Sequence, residues 1–323
     1  MTTRTTSQVF QEAVNYFTLL SLANQSEKRL ANYHALLDDK IDPTLSLVKQ
    51  FNVVAKVLNL PIGDVTNAYN HVLHSLQSLF REYRDAKIVK IGSDGYPKLL
   101  ATLNGAPAFL FLYGIGELFT FPIVSIVGTR NASTEGKLRA RKLAALLAKR
   151  NIVVASGLAK GIDYAAHEGT IVAGGYTIAV LGTPLNRFYP KEHEKLQRLI
   201  GETGLLVSQF SPSAQVMPYN FPKRNFVMSG MSLATVVIEA GESSGALIQA
   251  DFALKQKRKL FIPRSILNDN RLKWPARFIK GEGASVFADI DDLVEKLSPY
   301  LPGTADRQGT ANQSTRLVTC SLS

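Results

Sequence analysis

The sequence predicts an α/β protein, a doubly wound and mostly parallel sheet preceded by a small all-helical N-terminal domain. Three observations predict it. From Pro122 onward, short apolar runs alternate with helix-compatible stretches, the pattern of βαβ units with helices on both faces. The first run, Ile123-Val124-Ser125-Ile126-Val127, passes through Gly128-Thr129-Arg130 into a helix expected over about Gly136–Arg150. Before about residue 86 the apolar residues recur at three and four instead, the spacing of one helix face.

Taken in order, Val9, Phe10, Ala13, Val14, Phe17 and Leu20 mark a first helix. Thr44–Leu58 carries Leu45, Val48, Phe51, Val54, Ala55 and Leu58 on one side. Pro61–Gly63 breaks the pattern, and Asp64–Arg84 resumes it with Val65, Ala68, Tyr69, Val72, Leu76, Leu79 and Phe80. The second of these helices is not basic, so the pair reads as packing rather than as a DNA-reading helix-turn-helix. His71 and His74 share a helix, but no further ligand accompanies them and no metal site is expected. After a connector, Ala106–Tyr113 reads as a strand ending in a turn at Gly114. Strands then follow at Ile152–Ala155, Thr177–Leu181, Leu205–Ser208, Ala234–Ala240 and Lys259–Pro263. Helices are expected at Ile162–Ala173, Lys191–Glu202 and Gly245–Lys257, and a last strand and helix at Ser285–Ala288 and Asp291–Leu297, with Asp289 as cap. The domains read as 1–86, helical; 87–302, α/β; and 303–323, a disordered tail rich in Gly, Thr, Ser, Gln and Asn.

Composition narrows the function. The chain of 323 residues is 46% hydrophobic and 20% charged, as ordinary globular proteins are. Its formal net charge is +11, which favours a polyanionic partner. A single cysteine, Cys320, excludes an intrachain disulfide framework and a cysteine-based metal site. No apolar run approaches the ~18–20 residues of a membrane span, and Met1–Gln8 lacks a signal core. The protein is expected to be cytoplasmic, with no membrane contact.

The chemistry gathers in loops that follow strands, where an open α/β sheet places its sites. Gly128 permits a tight turn, the next helix presents free N–H groups, and Arg130 offers a planar fork of donors suited to phosphate. Ser156–Gly161, the loop after Gly182 and Glu239–Gly245 open on the same edge. Neither G-x-G-x-x-G nor a P-loop is present, so the sequence points to phosphate without specifying a dinucleotide or a nucleoside triphosphate. No cofactor is expected.

The ordered motifs are similar to those of the DNA-processing protein A family (DprA, also called Smf). They are Ser125–Arg130, Ser156–Asp163 with Ala166-His167, Gly175–Gly182, Tyr189-Pro190, Phe221-Pro222-Lys223-Arg224-Asn225, Glu239-Ala240 and Ser244-Gly245. The resemblance implies a Rossmann-like core that binds single-stranded DNA, dimerises and helps to load a RecA-type recombinase, notably in natural transformation. It implies no catalytic residue. The implied phosphate-binding set is Gly128, Thr129, Arg130, Ser156, Gly157, Lys160, Gly161, Lys191, Lys223, Arg224, Asn225, Ser244 and Gly245. Phe188 or Tyr189 would stack a base, Glu239 would meet a ribose, Asn225 would steady the Arg224 loop, and Asp163 and His167 would make structural hydrogen bonds. Departures from the family pattern fall at Phe226, Gln209, Thr183–Asn186, Gln249 and Arg264, and no C-terminal winged helix is recognisable. Two other readings share the crevice, a sensor of a small nucleotide and a nucleotide phosphoribohydrolase of the "lonely guy" type using Glu239 and Glu242.

Overall fold

The computed structural model describes residues 6–269, 272–281 and 283–301; the expected tail, 303–323, lies outside the described residues. The chain begins with helices α1 (Thr6–Leu22), α2 (Glu27–Leu37), α3 (Phe51–Leu58) and α4 (Ile62–Glu82). Ser26 caps α2 by accepting from the Arg29 amide at 3.3 Å. Asn59, left-handed at φ 50°, ends α3, and Pro61 precedes α4, so the expected break is a cap followed by a start. The helix expected over Thr44–Leu58 is shorter than its apolar spacing suggests. Asn15 of α1 binds the carbonyls of Pro43 (3.0 Å) and Leu45 (2.7 Å) and the amide of Leu47 (3.2 Å). That engages the backbone before a helix can use it.

The α/β part runs β1 (Lys87–Lys90), α5 (Lys98–Ala101), β2 (Phe109–Gly114), β3 (Ile123–Gly128), α6 (Thr134–Ala148), β4 (Val153–Ser156), α7 (Ile162–Val172) and β5 (Thr177–Leu181). It continues through α8 (Glu194–Thr203), β6 (Leu205–Ser208), α9 (Asn220–Met231), β7 (Ala234–Glu239), α10 (Gly245–Lys255) and β8 (Lys259–Pro263), then α11 (Trp274–Gly281), β9 (Ser285–Phe287) and α12 (Ile290–Leu297). Asp289 caps α12 as expected, accepting from the Asp291 and Asp292 amides. Helices α2, α5 and α11 were not anticipated individually, and neither were strand β1 and helix α9. Strand β1 is an edge strand of only four residues, with lysine at both ends. Helix α9 contains Pro222 and Gly230, yet Pro222 lies in its first turn, where a missing N–H costs no hydrogen bond.

The nine strands form one sheet in the order β1-β2-β6-β5-β4-β3-β7-β8-β9. Pairs β1–β2 and β2–β6 are antiparallel and all others parallel. The chain winds outward from β3 to β6 and then returns to lay β7 on the other side of β3. That reversal puts the topological switch point, where such sheets bind ligands, between the carboxyl ends of β3 and β7. Alternate side chains feed opposite faces. Val153, Ala155, Ile178 and Val180 pack with the α9, α10 and α11 side, whereas Val154 packs with α6 and α7. Ala179, Leu181, Phe109, Phe111 and Leu206 share one core with Phe17, Leu20 and the other N-terminal helical residues. The helical region is therefore docked on the sheet. Among the described residues no helix is long and apolar enough to cross a membrane.

Candidate functional site

The switch point opens into a crevice of about 380 Å³ lined by Gly128, Thr129, Arg130, Asn131, Ala159, Asp163, Phe221, Arg224, Asn225, Ser243, Ser244, Gly245 and Gln249, among others. Its first wall is the loop between β3 and α6. The Thr129 amide donates to the Glu239 carbonyl at 2.7 Å. The Glu239 carboxylate then accepts from the Ser133 amide (3.0 Å) and the Ser133 hydroxyl (2.6 Å). Ser133 itself caps α6, its hydroxyl oxygen accepting from Gly136 at 2.9 Å. Backbone and side chain of one β7 residue thus pin both ends of the segment that carries Arg130. Arg130 is exposed, with its guanidinium 5.9 Å from the centroid of the Phe221 ring.

The floor is built from buried charge. Arg224 is 6% exposed. Its Nη1 donates to the carbonyls of Gly157 and, at 2.7 Å, Val180, and its Nε donates to Asn225 Oδ1 at 3.0 Å. Gly157 has no side chain to obstruct this, since a Cβ there would lie 2.6 Å from Nη2. Beneath the same loop Asp163 accepts from the amides of Gly157 (3.1 Å) and Ala159 (3.4 Å). Burial pushes the Asp163 carboxyl up, and the Arg224 charge with the two amides opposes it. Burial likewise pushes Arg224 down, and Asp163 opposes that. His167 is fully buried and bonds Thr177 Oγ1 through Nδ1 at 2.7 Å. Burial, then the Arg224 and His193 charges, holds its pKa down to about 3, so it is neutral. Gly161, at φ +78° and hard against the carbonyls of Thr129 and Arg130, is the position in this loop that no other residue fits without strain.

The expected phosphate-binding residues fall into four groups. Gly128, Thr129, Arg130, Arg224, Asn225, Ser244 and Gly245 do line the crevice. Ser156 and Gly157 lie buried below it, Ser156 donating to the Ile126 carbonyl at 2.7 Å. Lys160 and Lys191 are exposed on its shoulder, and Lys160 is ion-paired with Glu192. Lys223 turns away, pairing with Glu27 of α2 at 3.3 Å and lying 5.5 Å over Tyr219. Three expectations change in detail. Arg224 has Nη1 committed to two backbone carbonyls and Nε to Asn225, because α9 carries it under the loop rather than over it, so Nη2 is the part of its fork left to face the crevice. Glu239 has each carboxylate oxygen bonded to Ser133, so its first role is to clamp the β3–α6 loop. Glu242 is exposed and accepts through Oε1 alone, from the amides of Lys273 (2.5 Å) and Trp274 (3.2 Å). Phe188 is covered by Arg198 at 4.6 Å, whereas Tyr189 is exposed and sits 5.0 Å from Phe221. Asn225 behaves as expected, steadying Arg224 and donating to the Gly245 carbonyl at 3.3 Å. Phe221, between Arg130 and Tyr189, had no role assigned from sequence; its place beside Arg224 in a Phe-Pro-x-Arg-Asn run was the available signal.

A doubly wound sheet with a cationic crevice at its switch point defines a Rossmann-like binding protein. Relatives specify which kind. The sequence model of "DNA recombination-mediator protein A" matches residues 87–298, and the chain belongs to that family. It is 40% identical over 217 residues to "DNA processing protein DprA" of Streptococcus pneumoniae, covering 67% of this chain and 76% of that one. It is 34% identical over 267 residues to "Protein Smf" of Escherichia coli, covering 80% and 71%. The solved structure of the S. pneumoniae protein superposes with a TM-score of 0.66 at 28% identity, over 91% of this chain and 99% of that one. A Helicobacter pylori DNA processing protein A, described for its single-stranded DNA binding mode, superposes with a TM-score of 0.59 at 26% identity, over 68% and 98%.

Proposed function

We propose that this protein binds single-stranded DNA along the β3–β7 crevice and acts as a recombination mediator by binding rather than by catalysis. The observation that carries the reading is Arg130. It is an exposed guanidinium on a loop fixed in advance by Glu239, beside two capped helix N-termini and an aromatic pair, Tyr189 and Phe221. Fixed donors bind phosphate without a further ordering cost, and exposed rings stack bases without regard to sequence. The net charge of +11 supplies the long-range attraction. The engagement of Glu239 with Ser133, and of Glu242 with two amides before and within α11, speaks against the hydrolase reading, since each carboxylate already holds backbone in place. In this reading the protein acts as a homodimer and hands its strand to a RecA-type recombinase.

The test is binding of fluorescent oligo-dT of about 30 nucleotides, titrated with salt, against a duplex of equal length. Salt-sensitive binding that prefers the single strand is expected. Equal affinity for duplex, or no binding at low salt, would overturn the reading.

A further inference from the structure

A second cavity, of about 470 Å³, lies on the same edge of the sheet, between α1, the loop before β2, the loop after β6 and the first turn of α9. The volume is within the range of small-molecule sites, roughly 300–1,000 Å³. Seven of its 21 lining residues are aromatic. Tyr16 and Phe17 meet Phe109 at 5.3 and 5.9 Å, and Phe226 stands edge-on to Phe252 at 5.5 Å. Two other lining residues, Gln209 and Asn220, carry side-chain nitrogens with no hydrogen-bond partner among the described residues. Asn220 is 2% exposed. A buried amide donor left unpaired is costly, and a ligand that brings acceptors would relieve the cost. At the rim the ion pair of Lys223 with Glu27 leaves no net charge to select an anion.

Aromatic walls select a flat ring, and amide donors select ring nitrogens and carbonyl oxygens. We infer that this cavity takes a nucleobase, stacked among the α1 and α9 aromatics and hydrogen-bonded by Asn220 and Gln209. For a base belonging to a bound strand the inference rests on the DNA-binding reading. The first turn of α9 walls both cavities, with Pro222 lining each, so a strand whose phosphates meet Arg130 has this base pocket on the other side of that turn. A free nucleoside presents the same chemistry.

The test uses the full chain and two variants, Asn220→Leu and Ala214→Trp. The first removes an unpaired donor, and the second fills the cavity from a partly exposed loop position. Fluorescence polarisation is read with a mixed-sequence strand of about 20 nucleotides and with an abasic strand of equal phosphate count. Thermal shifts are read with millimolar thymidine and adenosine. The expected result is a loss of about tenfold in affinity for the base-bearing strand in each variant, with abasic binding unchanged. An Asn220 that only packs would leave base-dependent binding untouched. A nucleoside-induced shift that both variants lose, with strand affinities unchanged, supports the same pocket and makes its occupant a free nucleoside. If the variants bind the base-bearing strand as the parent does and no nucleoside shifts the parent, the inference is overturned. If neither strand binds the parent, it is the DNA-binding reading that fails, and the nucleoside shift alone then decides the pocket.

Discussion

The loop after β3 and helix α9 each bring an arginine to the same crevice, and the two arginines do opposite work. Arg130 stands in solvent on a segment held by others, whereas Arg224 is buried and does the holding. An exposed arginine contributes donors to whatever arrives, while a buried one contributes geometry, because its removal takes a donor from the Gly157 and Val180 carbonyls and leaves the Asp163 charge uncompensated. Charge alone therefore does not identify a ligand contact; the partners already satisfied within the protein do.

The comparison breaks most sharply on Arg224→Ala. Removing a buried guanidinium with its three hydrogen bonds, beside the buried Asp163 charge, should cost about 3–5 kcal/mol of stability, read by urea denaturation. Arg224→Lys should restore only part of it, since an ammonium lacks the planar fork. If Arg224→Ala were as stable as the parent and defective only in DNA binding, the two arginines would have the same role.

Acid should act on the same floor. Unfolded, His167 titrates near 6.5; folded, it is held at about 3. Between those values the unfolded chain binds a proton that the folded one does not, so stability rises with pH across the window and is lost as pH falls from 6.5 towards 3. By pH 4.5 the loss should be roughly 2–3 kcal/mol, and His167→Gln should flatten that slope. An equal slope in the variant would place the acid sensitivity elsewhere.

Arg130→Ala sharpens the contrast from the other side. Stability should stay within about 0.5 kcal/mol, while affinity for single-stranded DNA falls about tenfold and the salt slope becomes shallower by about 0.7–1. The smallest effect belongs to the shoulder. Glu192→Gln frees Lys160 from its ion pair and should tighten DNA binding about twofold at low salt, the gain vanishing as salt screens it.

Strands β3 to β8 were legible because apolar runs of four to six residues, closed by Gly, Ser or Pro, have few other readings. Asp289 was legible as a cap because its partners lie two and three residues away. What escaped is set by distant partners. The clamp that Glu239 makes was not legible because Ser133, 106 positions earlier, gives no local sign that it will donate to both oxygens. Lys223 and Arg224 are neighbours in sequence, yet a helix sends one towards α2 and the other under the β4–α7 loop. That helix was itself hidden, its first turn holding a proline and its body too evenly buried to show one apolar stripe.

The core shared by the N-terminal helices and the sheet has a thermodynamic meaning. Phe17 lies 5.4 Å from Phe111 of β2, and Tyr83, just past α4, stands edge-on to Tyr113 at 4.8 Å. Those rings cannot leave water in two independent steps. The helical region and the β2–β6 half of the sheet accordingly form one cooperative unit, melting in a single transition and exchanging their amide hydrogens with a common opening free energy.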